Sequence, residues 1–590
     1  MNIDDIEDIM LNKLLHKSNF DLKYEDIEKY KPMLLEILQI QEIDKKKYIV
    51  QIRILMRKYN FTYKFSYLFR IYIILLNQNI IKKNIILENN LKIRENKSTS
   101  GVIVLTVVLS PYPEYENEFG EIIKQKFTCQ WNCYYCPNEP GQPRSYLKLE
   151  PAVQRANYNN FDPYLQVNNR LKQLEHIGHQ IDKIELIVLG GTWESYPIKY
   201  REQYIRDLFY SLNVYYDLHK RNKYSLKEEQ LINENSKIKV VALKLETRPD
   251  TICLESIKHL RFIGCTHIQI GVQHLSDHIL KKINRQVYYS DIIRSIRYLK
   301  DLCFKIDIHI MPMLPGSTPD IDHSMFEEFL NITNYYETNN NVFKYELQNG
   351  DIQADEWKIY PCQIVPWTVI KEWYKEGKYN PYPDEELKII LKYVDKSIFP
   401  WIRLNRIIRD IPVDYIIGGT RCTNMRQIID NESINDKVYC MDIRNREIKN
   451  RKYNETDICL VERWYNASLG QEIFISFESQ DKKILYGLLR LRLSANSGMI
   501  EDNIVFPELI DCALIRQIHV YGELEKVGIQ LSNKVQHRGI GTKLIKRAEE
   551  ISCQYKYHKI AVIASIGTRN YYRKFGYEII GDGEYMIKNI

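Results

Sequence analysis

Between residues 97 and 395, six short apolar runs recur, at 102–109, 184–189, 238–245, 267–272, 304–311 and 357–364, each separated from the next by a stretch long enough to hold a helix. That spacing predicts parallel βα units, arranged as an open sheet or as a full or partial barrel. In such folds functional groups gather at the carboxyl ends of the strands. Gly190, Gly191 and Thr192 follow the second run, Glu246, Thr247 and Arg248 the third, Gln273 the fourth and Pro312 the fifth.

The chain has 590 residues, which at roughly 100–200 residues per domain predicts three or more folded units. Residues 1–96 carry apolar side chains at helical spacing (Ile6, Ile9, Met10; Met33, Leu34, Ile37, Leu38) and predict a small helical domain. Residues 396–460 read as a connecting region, with Arg403, Arg406 and Arg409 near its start. Residues 461–590 read as a mixed α/β layer, with strands at 472–477, 484–493, 513–520 and 559–564 and helices at 542–553 and 569–575.

Asp4, Asp5, Glu7 and Asp8 argue against an apolar leader at the start. The most apolar stretch, 65–76, is broken by Arg70 and is shorter than the ~20 residues a spanning helix needs. A cytoplasmic protein without membrane contact is expected. Its net charge of +7 is a mild excess, so a nucleic-acid surface has to be local. The basic stretch 45–97, with Lys58 and Lys64 interleaved with Tyr59, Phe61, Tyr63 and Phe65, suits phosphate and base contacts, or else forms a solvated face over an aromatic core.

Twelve cysteines in a reducing compartment point to metal ligation wherever they cluster. Cys129, Cys133 and Cys136 form C-x3-C-x2-C after the first strand. Three thiolates leave one iron of a 4Fe-4S cluster open for chemistry, while zinc would need a remote fourth ligand. A second motif lies near the end: Gln536-His537-Arg538-Gly539-Ile540-Gly541 runs into the helix expected from Thr542. Free N–H groups, the positive end of the helix dipole and glycines together make an anion cradle, the alternative being a plain tight turn. Tyr572, beyond the next strand, faces that cradle or is a core aromatic.

The cysteine triad, Tyr135 and Gly190-Gly191 resemble the radical S-adenosylmethionine superfamily, and the Gln536 loop with Tyr572 resembles the GNAT acetyltransferases. The pairing, together with the strings Glu246-Thr247-Arg248-Pro249-Asp250, Lys358-Ile359-Tyr360-Pro361, Arg409-Asp410-Ile411-Pro412 and His519-Val520-Tyr521-Gly522, is similar to the tRNA wobble-uridine acetyltransferase family that includes the Elongator catalytic subunit. The resemblance runs from about Lys97 to the end. It implies a helical N-terminal domain that binds tRNA, a partial (βα)6 radical S-adenosylmethionine barrel and a C-terminal GNAT domain. It also implies a 4Fe-4S cluster on Cys129, Cys133 and Cys136, with S-adenosylmethionine as cofactor and acetyl-CoA as substrate. Cofactor-binding roles fall on Gly190, Gly191, Glu246, Arg248, Gln517, Ile518, His519, Val520, Gln536, Gly539, Ile540, Gly541, Thr542 and Tyr572, and Lys183 is expected at the end of a helix, meeting the CoA anion. Tyr572 and Lys183 are the implied catalytic residues. The implied partners are the anticodon stem-loop of tRNA and either Elongator-type subunits or a second copy of the chain.

Some residues depart from the family pattern. The first cysteine spacer is short, residues 114–126 are extra, and Gln517 stands where relatives have Glu. Cys440, followed by Asp442 and Asn445, does not predict zinc in the connecting region. The competing functions are a protein-lysine (histone) acetyltransferase with a structural iron-sulfur domain, and a tRNA-binding scaffold without catalysis.

Overall fold

The computed structural model describes residues 24–590 apart from 43, 64, 78–79, 92–100, 128, 177–178, 180, 339–340, 437–438, 449–450, 452–456, 522–538 and 582. Ile6, Ile9 and Met10, as well as Lys64 and Gln536, lie outside the described residues. Among the described residues, four helices, Tyr24–Leu38, Lys45–Lys58, Phe65–Asn77 and Ile85–Leu91, make up the N-terminal unit. Their apolar stripes, among them Ile27, Met33, Leu34, Ile37, Leu68, Ile71 and Leu75, close on a core of their own. Phe61 is buried there edge-on to Tyr30 at 4.8 Å, so part of the aromatic interleaving is core. Arg70 anchors the unit to the rest of the chain through Glu175 at 3.4 Å and Tyr215 at 3.3 Å.

The central unit begins with β1 (Ile103–Val108), then a short hairpin of β2 (Glu114–Glu116) and β3 (Ile122–Lys124) that occupies the extra stretch. There follow β4 (Lys183–Leu189), β5 (Lys239–Thr247), β6 (His267–Gln273) and β7 (Lys305–Ile310), a second hairpin of β8 (Ile332–Thr338) and β9 (Val342–Leu347), and then β10 (Glu356–Ile359) and β11 (Arg403–Ile407). Seven of these pair in parallel as β1-β4-β5-β6-β7-β10-β11, a half-barrel. The alternation in β4 shows why: Ile184, Leu186 and Val188 are buried against the helices, while Glu185, Ile187 and Leu189 turn to the other face. Strand β10 stops at Ile359, short of the expected 364, because Pro361 cannot donate to a ladder. The seventh strand, β11, arises inside the stretch read as a connector. With two arginines and an asparagine in five residues, it carries no apolar run to betray it.

The C-terminal unit contributes β12 (Ile458–Ala467), β13 (Gly470–Ser479), β14 (Leu485–Leu493), a two-residue pair β15 (Met499–Ile500) and β16 (Asn503–Ile504), β17 (Cys512–Val520), β18 (Lys559–Val562), β19 (Glu578–Ile579) and β20 (Met586–Asn589). Its sheet has the order β19-β20-β18-β17-β14-β13-β12-β9-β8, so the β8–β9 hairpin leaves the half-barrel segment and joins the second sheet. A single hydrophobic core runs through both units, from Leu105 and Ile308 to Leu514 and Met586.

Buried charge locks the two units together. The Arg516 guanidinium donates to both Asp355 oxygens at 2.6 and 2.8 Å, to Glu472 at 2.9 Å and to the Phe304 carbonyl at 2.7 Å. Arg492 pairs with Asp301 at 2.6 Å, and the Ser565 hydroxyl donates to the Val240 carbonyl at 2.8 Å. These contacts seat the C-terminal sheet against the amino ends of the barrel strands. Among the described residues, no helix is long and apolar enough to cross a membrane.

Candidate active site

The loop after β1 presents the three cysteines at the carboxyl end of the half-barrel, with Cys133 buried and Cys129 and Cys136 partly so. Its backbone is tied down by Tyr134 N–H to the Ile283 carbonyl at 2.9 Å and Ser145 N–H to the Pro137 carbonyl at 3.0 Å. Burial pushes the Cys136 thiol up and Cys133 adds to it, while Arg144 opposes the shift. Arg248 and Arg285 place guanidinium nitrogens 3.6 and 3.7 Å from the Cys133 sulfur. Arg248 also stacks on Trp131 at 4.0 Å and pairs with Asp250 at 2.9 Å. Three arginines around three thiols supply the positive field that a thiolate-bound cluster needs. Among the described residues no three His, Cys, Asp or Glu side chains converge as ligands of one ion would.

After β4, Gly191 lines this site and Gly190 is packed behind it against Leu109. Gly191 has φ +89°, and a Cβ there would lie 3.1 Å from the Arg144 carbonyl; at Gly190 it would lie 2.8 Å from Leu109 Cβ. Only glycine lets this backbone pass so close to the cysteine loop. At the end of β5, Glu246 accepts a 2.5 Å hydrogen bond from the Tyr146 hydroxyl, and burial pushes its carboxyl up toward the protonated form. Arg409 lies over the Tyr146 ring at 5.0 Å and pairs with Glu150 at 2.8 Å. Arg285, Arg144, Trp131 and Tyr146 were not expected as site residues. A lone arginine or tyrosine in a loop carries no periodic signal, and only the chain's return to the cysteines reveals them.

The second group of expected residues meets at the other end of the barrel. Strand β17 pairs with β14 through Val520, but its pairing with β18 ends at Ile515–Val562, beside a bulge at Arg516. Beyond it, Gln517, Ile518, His519 and Val520 line a groove. The helix Ile540–Gln554 opens there from Gly539 in the left-handed conformation, φ +72°. Gly541 and Thr542 face the groove, and a Cβ at Gly541 would come 2.4 Å from the Tyr571 hydroxyl. Tyr572 lines the same space, its phenol pushed up by burial. Gln517 is engaged by Arg490 at 2.9 Å. No Asp or Glu lines this groove among the described residues of 515–521, 539–542 and 562–574.

Lys183 differs from expectation. It is the first residue of β4 instead of a helix end, and it lines the cavity at the amino end of the barrel, on the groove side. Lys58 is exposed and pairs with Glu36 at 2.8 Å, a weak surface pair that leaves the ammonium open to a phosphate. Arg403 pairs with Glu447 and Arg409 with Glu150, so both serve structural ion pairs.

One cavity of about 1390 Å³ contains both ends, from Cys129, Cys133 and Cys136 past Glu246, Gln269 and Lys305 to His519, Gly541 and Tyr572.

Residues 127–327 match the Radical SAM superfamily and residues 354–434 the Radical_SAM C-terminal domain. The chain is 34% identical to the tRNA uridine(34) acetyltransferase of Methanocaldococcus jannaschii, over 83% of this chain and 85% of that protein. It is 32% identical to Elongator complex protein 3 of Homo sapiens, over 85% of this chain and 87% of that protein. The solved structure of the archaeal Methanocaldococcus infernus Elp3 with an N-terminal deletion (1–46) superposes with a TM-score of 0.66 at 32% identity, covering 83% of this chain and 100% of that one.

Proposed function

This chain belongs to the family of tRNA uridine(34) acetyltransferases and Elongator complex protein 3, and from that premise we infer that it is a radical S-adenosylmethionine enzyme that uses acetyl-CoA to modify carbon 5 of the wobble uridine of tRNA. The observation that carries the reading is the continuity of the cavity: the cysteine loop and the groove open into the same space. Cys129, Cys133 and Cys136 would hold the 4Fe-4S cluster, with Gly190 and Gly191 leaving room for the methionine end of S-adenosylmethionine. When bound, these groups supply a 5′-deoxyadenosyl radical.

The chain's own residues hold, orient and exclude. Arg248 and Arg285 compensate the charge at Cys133. The start of helix Ile540–Gln554 and Gly539 receive the CoA pyrophosphate, with Tyr572 beside the thioester. The anticodon loop of tRNA reaches the carboxyl end of the barrel, and the phosphates meet the N-terminal helices, where Lys46, Lys47, Arg53, Arg57 and Lys58 are exposed. The cytoplasm is its place of action, alone, as a dimer or with Elongator-type subunits. Mass spectrometry of wobble nucleosides after anaerobic incubation with S-adenosylmethionine, reductant and acetyl-CoA tests the reading. A modified uridine with intact protein, lost in Cys133→Ala, is expected, and unmodified uridine with fully loaded protein refutes it.

A further inference from the structure

The interior of a βα barrel is ordinarily filled with branched apolar side chains. Here the inward positions carry Glu185, Lys244, Gln269, Lys305, Glu356 and Lys358, and they line open space. Some of these charges satisfy one another, with Lys244 at 2.9 Å from Glu356, and Lys305 bound to the same carboxylate. Others leave polar atoms over. Gln269 is fully buried; its carbonyl accepts from Lys358 and lies 3.1 Å from His309 Nε2, yet its Nε2 has no hydrogen-bond partner. The Gln273 Oε1, His267 Nε2 and His519 Nε2 atoms are likewise buried without a partner. A buried polar atom left unpaired is costly, and four along one passage point to a guest that supplies both donors and acceptors.

Their order is also informative. His267, Gln269 and Gln273 sit at alternate positions along β6, and all three line the cavity. From 267 to 273 the strand rises roughly 20 Å at ~3.3 Å per residue. The ladder begins beside the groove, where His519 lies, and ends under the cysteine loop. There a Cβ on Gly271 would meet the guanidinium of Arg285, the residue that reaches Cys133.

We propose that the lumen of the half-barrel seats the pantetheine arm of acetyl-CoA, whose two amides, one β-alanine unit apart, pair in turn with neighbouring members of the ladder His519, His267, Gln269 and Gln273 as the thioester passes from the groove beside Tyr572 toward the cysteine end. This rests on the reading of the groove as the acetyl-CoA cradle. The chemistry of the arm fits: each amide offers one donor and one acceptor, and the arm carries no charge to oppose the paired ions of the lumen. The cavity is also larger than the roughly 300–1,000 Å³ of an ordinary small-molecule site, which leaves space at its upper end for a second reactant.

The test is calorimetric titration of two variants, Val241→Trp and Gln269→Met, with acetyl-CoA and separately with adenosine 3′-phosphate 5′-diphosphate, the nucleotide end of CoA without its arm. Val241 is half-buried on the lumen wall and belongs to neither the cradle nor the cysteine loop. The expected result is a tenfold or greater loss of acetyl-CoA affinity in Val241→Trp and about a fivefold loss in Gln269→Met, with nucleotide affinity held within twofold. Acetyl-CoA affinities within twofold of wild type in both variants overturn the proposal. So does a loss shared equally by the nucleotide, since that places the damage in the cradle. Failure of wild type to bind the nucleotide or acetyl-CoA strikes the cradle reading itself, and the lumen assignment falls with it.

Discussion

Replacing Arg516 by methionine tests whether buried charge joins the two α/β units. Arg516 is almost wholly buried and donates to two carboxylates that are themselves fully buried, Asp355 and Glu472. Removing one partner of a buried pair costs about 3–5 kcal/mol because the other charge stays behind without compensation. Here the remaining charges are not bare: Asp355 keeps Arg490 at 3.4 Å, and Glu472 keeps Arg492 at 3.3 Å and Lys300 at 3.4 Å. The lower end, about 3 kcal/mol, is therefore expected, which for a cooperative unit of this size, with one core through both sheets, lowers the thermal midpoint by roughly 2–3 °C. Differential scanning calorimetry at pH 7 measures it, and the double variant Arg516→Met/Asp355→Leu should regain part of the loss, since an apolar pair can replace an ionic one. The effect also has a sign in pH. Burial alone would raise the Asp355 carboxyl, but Arg516 and Arg490 outweigh it and hold the group below the carboxylate range. The stabilisation is thus full above the ordinary carboxylate value near ~4 and is lost as pH falls below it, so the gap between wild type and Arg516→Met narrows in acid. A midpoint shift under about 1 °C at pH 7 refutes the reasoning.

Four further outcomes are expected. Alanine at Cys129, Cys133 or Cys136 abolishes both iron retention and reductive cleavage of S-adenosylmethionine, read by iron assay and by 5′-deoxyadenosine release; a triple variant that keeps its iron disproves the assignment. Gly541→Asp puts an anion and a side chain where the pyrophosphate and the Tyr571 hydroxyl belong, so acetyl-CoA affinity measured by calorimetry falls at least tenfold. Tyr572→Phe lowers acetyl-CoA hydrolysis more than binding, and equal losses in the two assays exclude a role for the hydroxyl. Charge reversal of Lys58 together with Lys64 weakens tRNA in filter binding and reduces the salt slope by roughly 0.7–0.9 per lost phosphate contact; an unchanged slope moves the tRNA surface away from the N-terminal helices.

Local pattern made much of this protein legible. The apolar runs of β1, β4, β5, β6 and β7 and their spacing, the cysteine triplet and the glycines at 190–191 and 539–541 are all set by neighbours a few residues apart, and strand period, turn strain and ligand spacing are written at that range. What the sequence could not reveal depends on pairings across hundreds of residues. Strand β11 is polar and becomes a strand only because β10 offers it an edge. The β8–β9 hairpin, exposed along β8, belongs to the C-terminal sheet only because β9 lies beside β12. Lys183 shows the difference at a single residue: its charge is evident in the sequence, but whether it ends a helix or begins a strand at the mouth of a barrel depends on where the turn after helix Pro163–His176 delivers the chain. The largest such case is the lumen. His267 and Gln269 read as ordinary positions of an apolar run and Gln273 as the group that follows it, and His519 lies some 250 residues away on another sheet. Only closure of the half-barrel on the second sheet brings them into one passage, because a cavity belongs to the space between elements and has no signature in any one of them.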